Sequence, residues 1–178
     1  MVRLLYAVVL VALLAGCHEK KEESQVRIRA EAVQELTLTT LEDQKLSLSI
    51  EPKKVTIKAN EKKALLLVFF ATWCPPCLAE IPHLSALQQE FGDKLIVVGV
   101  NLEEGKTKEE LAAFKTQKRV GYLLTYGSEN FHLADTLGGV RGFPTMYLFT
   151  PQGELAGYYP GAAPEEMLRA DIRKAIGQ

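Results

Sequence analysis

Residues 69–77 read Phe-Phe-Ala-Thr-Trp-Cys-Pro-Pro-Cys, and the stretch joins an apolar run to a helical pattern. The run from Ala64 to Phe70 is continuously apolar with turn signals on both sides, which predicts a strand buried on both faces. Pro75 fits the first turn of a helix over residues 75–91, because its missing N–H would be unpaired there anyway. Two cysteines three residues apart therefore lie where a buried strand turns into a helix.

These two cysteines, Cys74 and Cys77, predict dithiol chemistry. Cys74 falls at the helix N-terminus, where free N–H groups and the helix dipole favour an anion and lower the pKa of a thiol. We expect Cys74 to be the attacking thiolate, and Cys77, one turn further in and less exposed, to resolve the mixed disulfide. A structural disulfide and half of a zinc site are the alternatives, although a loop this short constrains the unfolded chain little and no second pair completes a zinc site. We expect no metal and no cofactor beyond the redox-active disulfide.

Composition limits what kind of protein this is. The chain has 178 residues, of which 47% are hydrophobic and 24% charged. That length suits one domain with a real core. The 21 basic and 22 acidic residues give a net charge of −1, which excludes the strongly basic surface of a nucleic-acid-binding protein. Collagen-like, coiled-coil and disordered chains are excluded by the same composition, and one soluble globular domain remains.

The N-terminal segment predicts export and lipidation. Arg3 precedes thirteen apolar or small residues at positions 4–16, fewer than the roughly 20 that a membrane-spanning helix needs. Such a run is typical of a signal peptide. It ends Leu-Ala-Gly-Cys, which resembles a bacterial lipobox with Cys17 as the lipidated residue. A plain signal peptide with an incidental cysteine is the alternative.

We therefore expect a signal peptide over 1–16, a lipidated tether over 17–35 and the folded domain over 36–178. The charged cluster at 18–23 is typical of a solvated tether. An exported protein lies outside the cytoplasm, where disulfides persist or are exchanged. With Cys17 lipidated, Cys74 and Cys77 are the two thiols that remain.

The rest of the chain alternates strand and helix patterns, which predicts an α/β sandwich with a mixed sheet. Short stretches alternate between apolar and polar residues before Ile57, as in half-buried strands. Thr107 and Glu110 form a capping-box pattern that opens a helix to about Lys118. The remaining expected elements are strands at 94–100, 122–126, 145–150 and 154–159, with helices at 129–137 and 164–176.

The stretch 69–77 resembles the active-site signature of thioredoxin-like proteins, and more narrowly that of the membrane-anchored TlpA/ResA group of extracytoplasmic thiol–disulfide oxidoreductases. The resemblance covers about Leu36 to Gln178. It implies a three-layer sandwich with a central mixed sheet flanked by helices and an added N-terminal β-hairpin. The sequence departs from the family in two places. Phe69-Phe70 replaces the usual Phe-Trp pair, and the segment from Glu51 to Lys63 is longer and more basic than expected and has no assigned function.

The resemblance also implies roles for individual residues. Pro144 stands where the family has a cis-proline against the two cysteines, and the residue before it offers backbone groups to an extended substrate. Glu80, on the helical face of Cys77, would take the proton of that thiol, whereas thioredoxins proper carry their acid at the position of Val68. Pro82 is the helix-kink proline, and His83 is expected to be a surface histidine. The expected substrate-binding residues are Trp73, Pro75, Pro76, Phe143, Pro144 and Thr145.

The two residues between the cysteines bear on the direction of electron flow. Pro75-Pro76 adds neither a hydrogen-bond donor nor a positive charge beside Cys74, whereas oxidants of the DsbA type have a histidine there. The absence of that histidine favours a reductant. By resemblance its substrates are disulfides of exported proteins, such as apocytochrome c or copper-site proteins. A membrane electron donor of the DsbD/CcdA type would recharge it, and an anchored monomer is expected. An oxidant of folding proteins, a thiol peroxidase and a redox-silent binding module remain open.

Overall fold

A computed structural model describes residues 32–52, 54–58 and 62–178. The predicted signal peptide, Cys17 and most of the predicted tether lie outside these residues. The strands are β1 (Gln34–Thr40), β2 (Lys45–Glu51), β3 (Lys54–Ile57), β4 (Ala64–Phe70), β5 (Leu95–Asn101), β6 (Leu123–Tyr126), β7 (Thr145–Phe149) and β8 (Leu155–Tyr159). The helices are α1 (Pro75–Phe91), α2 (Lys108–Lys118), α3 (Glu129–Thr136) and α4 (Glu165–Ala175).

The eight strands form a single mixed sheet in the order β3-β2-β1-β6-β5-β4-β7-β8. Strands β4, β5 and β6 run parallel, and the other neighbours are antiparallel. All seven residues of β4 are buried, which confirms the strand predicted from the apolar run. The antiparallel partner β7 places Thr145 opposite Phe69, so the start of β7 lies beside the end of β4.

Alternate side chains of β4 pack into two separate cores, as the two-residue period of a strand requires. Leu66 and Val68 belong to a core covered by α1, α2 and α4, and that core also contains both cysteines. Leu65 and Leu67 belong to the second core, which is covered by α3 and contains the apolar residues of β1, β2 and β3. Helices on both faces of the sheet confirm the three-layer sandwich.

The N-terminal addition is a three-stranded meander, one strand more than the expected hairpin. Strand β1 pairs with β6 and extends the main sheet, and β3 forms its outer edge. Val55 of β3 donates a backbone hydrogen bond of 2.8 Å to Gly153, in the turn between β7 and β8. The sheet therefore curls until one edge touches the turn beside the other edge.

The start of α2 follows a local signal in the sequence. The Thr107 hydroxyl accepts a hydrogen bond from the Glu110 N–H at 3.2 Å, and the Glu110 carboxylate accepts one from the Thr107 N–H at 2.9 Å. This confirms the capping box predicted from the pattern. Pro82 lies inside α1, as expected. None of the helices in the part of the chain that the structure describes is long and apolar enough to cross a membrane.

Candidate redox site

Cys74 and Cys77 form a disulfide at the N-terminus of α1, with their Cα atoms 5.3 Å apart. Cys74 is the N-cap residue, and its Sγ accepts a hydrogen bond from the Cys77 N–H at 3.3 Å. The two residues are 3% and 5% exposed. The expectation that Cys77 is the less exposed cysteine is therefore wrong for this disulfide form, because the S–S bond holds both side chains against the same core.

The diproline at 75–76 limits how many backbone N–H groups can donate a hydrogen bond to the Cys74 sulfur. Pro75 and Pro76 occupy the first two positions of the helix, and proline has no backbone N–H. Of the N–H groups in the first three positions, that of Cys77 alone remains. The sulfur therefore receives less backbone stabilisation than the start of a helix with a full set of donors would provide.

A carboxylate from the end of β5 holds the loop that precedes Cys74. Glu103 accepts hydrogen bonds from the Thr72 N–H at 2.5 Å and from the Thr72 hydroxyl at 3.1 Å. The Asn101 side-chain amide donates to the same carboxylate at 2.9 Å. Although burial raises the pKa of Glu103, these donors together hold it below its usual value. Sequence reasoning missed Glu103, because its partner Thr72 is 31 residues away and no local pattern links them.

An open groove of about 420 Å³ runs beside the disulfide, between residues 73–76 and 140–143. Trp73 is 67% exposed, and its ring packs against Phe143 in an edge-to-face arrangement with 6.0 Å between ring centres. Pro75 and Pro76 are exposed at the same place, and Arg141 adds an exposed positive side chain. The groove is thus a mostly apolar surface that leads to a buried disulfide.

The Phe143–Pro144 peptide bond is cis, as the resemblance implied. Pro144 itself is buried, and the strand register sets it next to the end of β4. Among the backbone hydrogen bonds of the described residues none involves Phe143, so its N–H and C=O are available to an extended chain. Thr145 differs from the expectation. It is 3% exposed and its hydroxyl donates to the Gly142 carbonyl at 2.7 Å, so its side chain stabilises the loop and does not line the groove.

Glu80 lies one turn after Cys77 and is buried, with 4% of its surface exposed. One carboxyl oxygen, Oε1, accepts a hydrogen bond from the Ala163 N–H at 3.2 Å. Burial raises the pKa of this carboxyl; the Ala163 N–H and nearby His83 oppose that rise, and Glu165 adds to it. A carboxyl with a raised pKa binds a proton more readily than an exposed glutamate does, and Glu80 lies on the helical face of Cys77.

The sequence of this chain is similar to that of known proteins. A sequence model of the thioredoxin-like domain matches residues 50–176. The chain belongs to the thioredoxin-like family. Over 114 residues this thioredoxin-like chain is 30% identical to the thioredoxin-like protein YneN of Bacillus subtilis, covering 64% of the chain and 65% of YneN. Over 121 residues it is 27% identical to the thiol-disulfide oxidoreductase ResA of Halalkalibacterium halodurans, covering 67% of the chain and 66% of ResA. The matched region spans just under two thirds of each relative.

Solved structures share the thioredoxin-like fold. A thiol:disulfide interchange protein from Chlorobium tepidum aligns with a TM-score of 0.66 at 22% identity, covering 85% of this chain and 97% of that one. StoA from Bacillus subtilis aligns with a TM-score of 0.62 at 21% identity, covering 80% and 98%. Both alignments cover at least 80% of this chain, so the solved structures confirm the thioredoxin-like fold.

The structure brings most of the expected site residues of this thioredoxin-like chain together. Those that meet at the groove are Trp73, Cys74, Pro75, Pro76 and Phe143. Cys77 and Glu80 are buried on α1, whereas the Thr145 hydroxyl donates to the Gly142 carbonyl in the loop before β7. Cys17, the predicted lipidation site, lies outside the described residues.

Proposed function

We propose that this protein is a thiol–disulfide oxidoreductase that acts through Cys74 and Cys77. The observation that carries the proposal is the disulfide at the N-terminus of α1, beside a groove bordered by Phe143. An extended substrate would lie in that groove and pair with the backbone of Phe143, which brings a substrate cysteine to Cys74.

The reaction is a two-step exchange of disulfides. The Cys74 thiolate attacks one sulfur of a substrate disulfide, which forms a mixed disulfide and releases the other substrate sulfur as a thiolate. Cys77 then loses its proton and attacks the Cys74 sulfur, which frees the reduced substrate and leaves the Cys74–Cys77 disulfide. Two electrons pass from the enzyme to the substrate, and Glu80 accepts the proton of Cys77.

The direction that we propose is reduction of the substrate. A strong oxidant of this fold owes its potential to a stabilised reduced form, in which the first cysteine is a thiolate. Here Pro75 and Pro76 withhold two N–H donors from Cys74, and the N–H of Cys77 is the one left in the first three helical positions. The thiolate is therefore weakly stabilised, and this favours a low reduction potential.

We further propose that the enzyme works outside the cytoplasm on disulfides of exported proteins, with apocytochrome c and copper-site proteins as the leading classes. The signal-like residues 1–16 support export, and the names of relatives such as ResA support disulfide exchange. A reductant in that compartment needs a source of electrons, and a membrane donor of the DsbD/CcdA type fits that need.

The reduction potential of the Cys74–Cys77 couple tests the activity and its direction. The chain contains one tryptophan, Trp73, next to the first cysteine, so its fluorescence should report the redox state across glutathione and dithiothreitol buffers. We expect a value near that of thioredoxin, about −270 mV, or lower. A value near about −120 mV would reverse the proposed direction. If no redox-linked change is found, and the Cys74→Ser/Cys77→Ser variant behaves like the native protein, the enzyme proposal fails.

Lipid anchoring at Cys17 has its own test. We expect the exported native chain to sediment with membranes and a Cys17→Ala variant to appear in the soluble fraction or to remain unprocessed. Labelling with a radioactive fatty acid should mark the native chain and not the variant. Equal labelling of both would show that Cys17 is not the lipidated residue.

A further inference from the structure

Two buried polar atoms on α1 face each other near the redox site. They are Oε2 of Glu80 and Nδ1 of His83, 3.9 Å apart, and neither has a hydrogen-bond partner in the part of the chain that the structure describes. The Glu80 side chain is 5% exposed, whereas the His83 side chain is 44% exposed. His83 therefore has one nitrogen turned inward to a buried carboxyl while much of its ring reaches solvent.

The other ring nitrogen of His83 points toward a second acid. Its Nε2 lies 4.0 Å from Oε2 of Glu165, at the start of α4. Glu165 is also paired with Arg169 on α4, and Arg169 makes a second ion pair with Glu90 of α1 at 2.9 Å. The imidazole thus lies between α1 and α4, with a buried acid near one nitrogen and an acid whose side chain is 24% exposed near the other.

The proposed reaction requires a proton to leave this region. Glu80 takes the proton of Cys77 when Cys77 attacks, and it must return one when the disulfide is reduced again. Its own carboxyl is almost closed off from water, and one of its oxygens is occupied by the Ala163 N–H. A buried acid in this position needs a neighbour that can carry the proton outward.

We propose that His83 is the proton relay between Glu80 and solvent, a role that rests on the proposed function and acts through Glu80. The separation of 3.9 Å exceeds the reach of a direct hydrogen bond, so one bridging water or a small rotation of the imidazole completes the path. His83 is a positioning residue in this scheme, because it touches neither the substrate nor the sulfur atoms.

The proton balance closes over a full catalytic cycle. In the substrate half-cycle the neutral imidazole, protonated on Nε2, accepts the Glu80 proton on Nδ1 and releases the Nε2 proton to water. The Glu165 carboxylate stabilises the imidazolium that exists between these two steps. When the electron donor reduces the disulfide, the Nδ1 proton returns through Glu80 to the leaving sulfur of Cys77, and Nε2 takes up a proton from solvent. The tautomer is then restored.

The groups around Glu80 also allow a competing explanation, in which His83 acts on Glu80 only as a nearby charge. His83 and Glu165 act on the charge of Glu80 from opposite directions, and the buried Tyr122 faces Glu80 from the segment before β6. His83 could therefore change the pKa of Glu80 as a nearby charge without carrying a proton. That role would move the pH midpoint of the reaction but would not make the rate depend on an added proton carrier.

The test follows oxidation of the reduced full chain by glutathione disulfide. Trp73 fluorescence and acid-quenched mass measurement separate formation of the Cys74–glutathione adduct from its resolution by Cys77. We expect His83→Gln to leave adduct formation unchanged and to slow resolution about tenfold or more, as a part of the roughly 10²–10⁴-fold that a positioned proton-transfer group contributes. His132→Gln, an exposed histidine on α3, is the matched control and should match the native rate.

Chemical rescue decides between relay and charge. Added imidazole should restore resolution in His83→Gln across the pH range, and it should not restore it in Glu80→Gln. Native resolution in His83→Gln, or a shifted pH midpoint with no response to imidazole, would overturn the relay. If circular dichroism shows that His83→Gln is unfolded, His83→Asn carries the same test. A native protein that does not exchange with glutathione disulfide at all would instead overturn the proposed function.

Discussion

The reactive loop is held in place by an acid that is distant in sequence. Thr72, two residues before Cys74, places its N–H and its hydroxyl on the Glu103 carboxylate. The side-chain amide of Asn101, the last residue of β5, donates a hydrogen bond to the same carboxylate. Because β4 and β5 are parallel neighbours, their ends lie side by side, and this contact joins the two ends next to the disulfide.

Removal of that carboxylate should loosen the loop and destabilise the fold. We expect Glu103→Ala to lower the free energy of unfolding by about 1–3 kcal/mol at pH 7, because the part-buried donors of Thr72 and Asn101 lose their acceptor. Denaturant titration measures the loss. Glu104→Ala, at the exposed neighbouring position, is the matched control and should change stability by less than about 0.5 kcal/mol.

The difference in unfolding free energy between the native protein and Glu103→Ala should change with pH in a defined direction. Donors hold the pKa of Glu103 below its usual value in the folded state, so the folded protein binds a proton there less readily than the unfolded chain does. The stability that Glu103 contributes is therefore fully present above its unfolded pKa and is lost as the pH falls through its folded pKa. The difference between native protein and Glu103→Ala should shrink when the titration is repeated in acid. A difference that grows in acid would contradict this assignment.

At the scale of elements, the contact between β3 and the β7–β8 turn brings the two edges of the sheet together. Gly153 lies in that turn with φ of +83°, a conformation that side chains disfavour. A Cβ at this position would lie 2.5 Å from the Thr56 methyl group and 3.0 Å from the Val55 carbonyl oxygen. The turn can approach β3 this closely because residue 153 has no side chain.

Two glycine substitutions separate backbone strain from this contact. Gly105 also has a positive φ, +71°, but a Cβ there would meet nothing within 4 Å. We expect Gly105→Ala to cost about 1 kcal/mol from the backbone alone. Gly153→Ala should cost about 1–2 kcal/mol more, because it also forces the turn away from β3. Denaturant midpoints measure both changes, and equal losses would mean that the edge contact contributes nothing.

The sequence predicted the elements that have local signals. The capping box at Thr107 and Glu110 marks the start of α2, and the apolar run marks β4. It did not predict that β3 reaches Gly153, because that contact depends on how the whole sheet curls. It missed Glu103 because the partner residue Thr72 is 31 residues away and no local pattern links the two. It placed Thr145 in the groove because a residue beside a cis-proline carries no sequence sign of which way its side chain points.

At the scale of the whole molecule, the redox-active disulfide is part of the hydrophobic core that α1, α2 and α4 cover. Cys74 and Cys77 are counted among the buried residues of the first core, where they join apolar side chains of α1 such as Ile81 and Leu84. A change of redox state therefore alters a group that is packed into the core of the sandwich. The stability of the fold and the reduction potential are linked through that one disulfide.

This linkage predicts which redox form unfolds first. Closing a loop of four residues restricts the unfolded chain by about 2 kcal/mol, and a weakly stabilised Cys74 thiolate offers the reduced form little compensation. We expect the oxidised protein to be more stable than the reduced protein by about that amount. Guanidinium midpoints with and without dithiothreitol measure the difference, and the Cys74→Ser/Cys77→Ser variant should show none. A more stable reduced form would place the protein with oxidants of the DsbA kind, whose reduced state is the stabilised one, and would reverse the electron flow inferred from the two prolines.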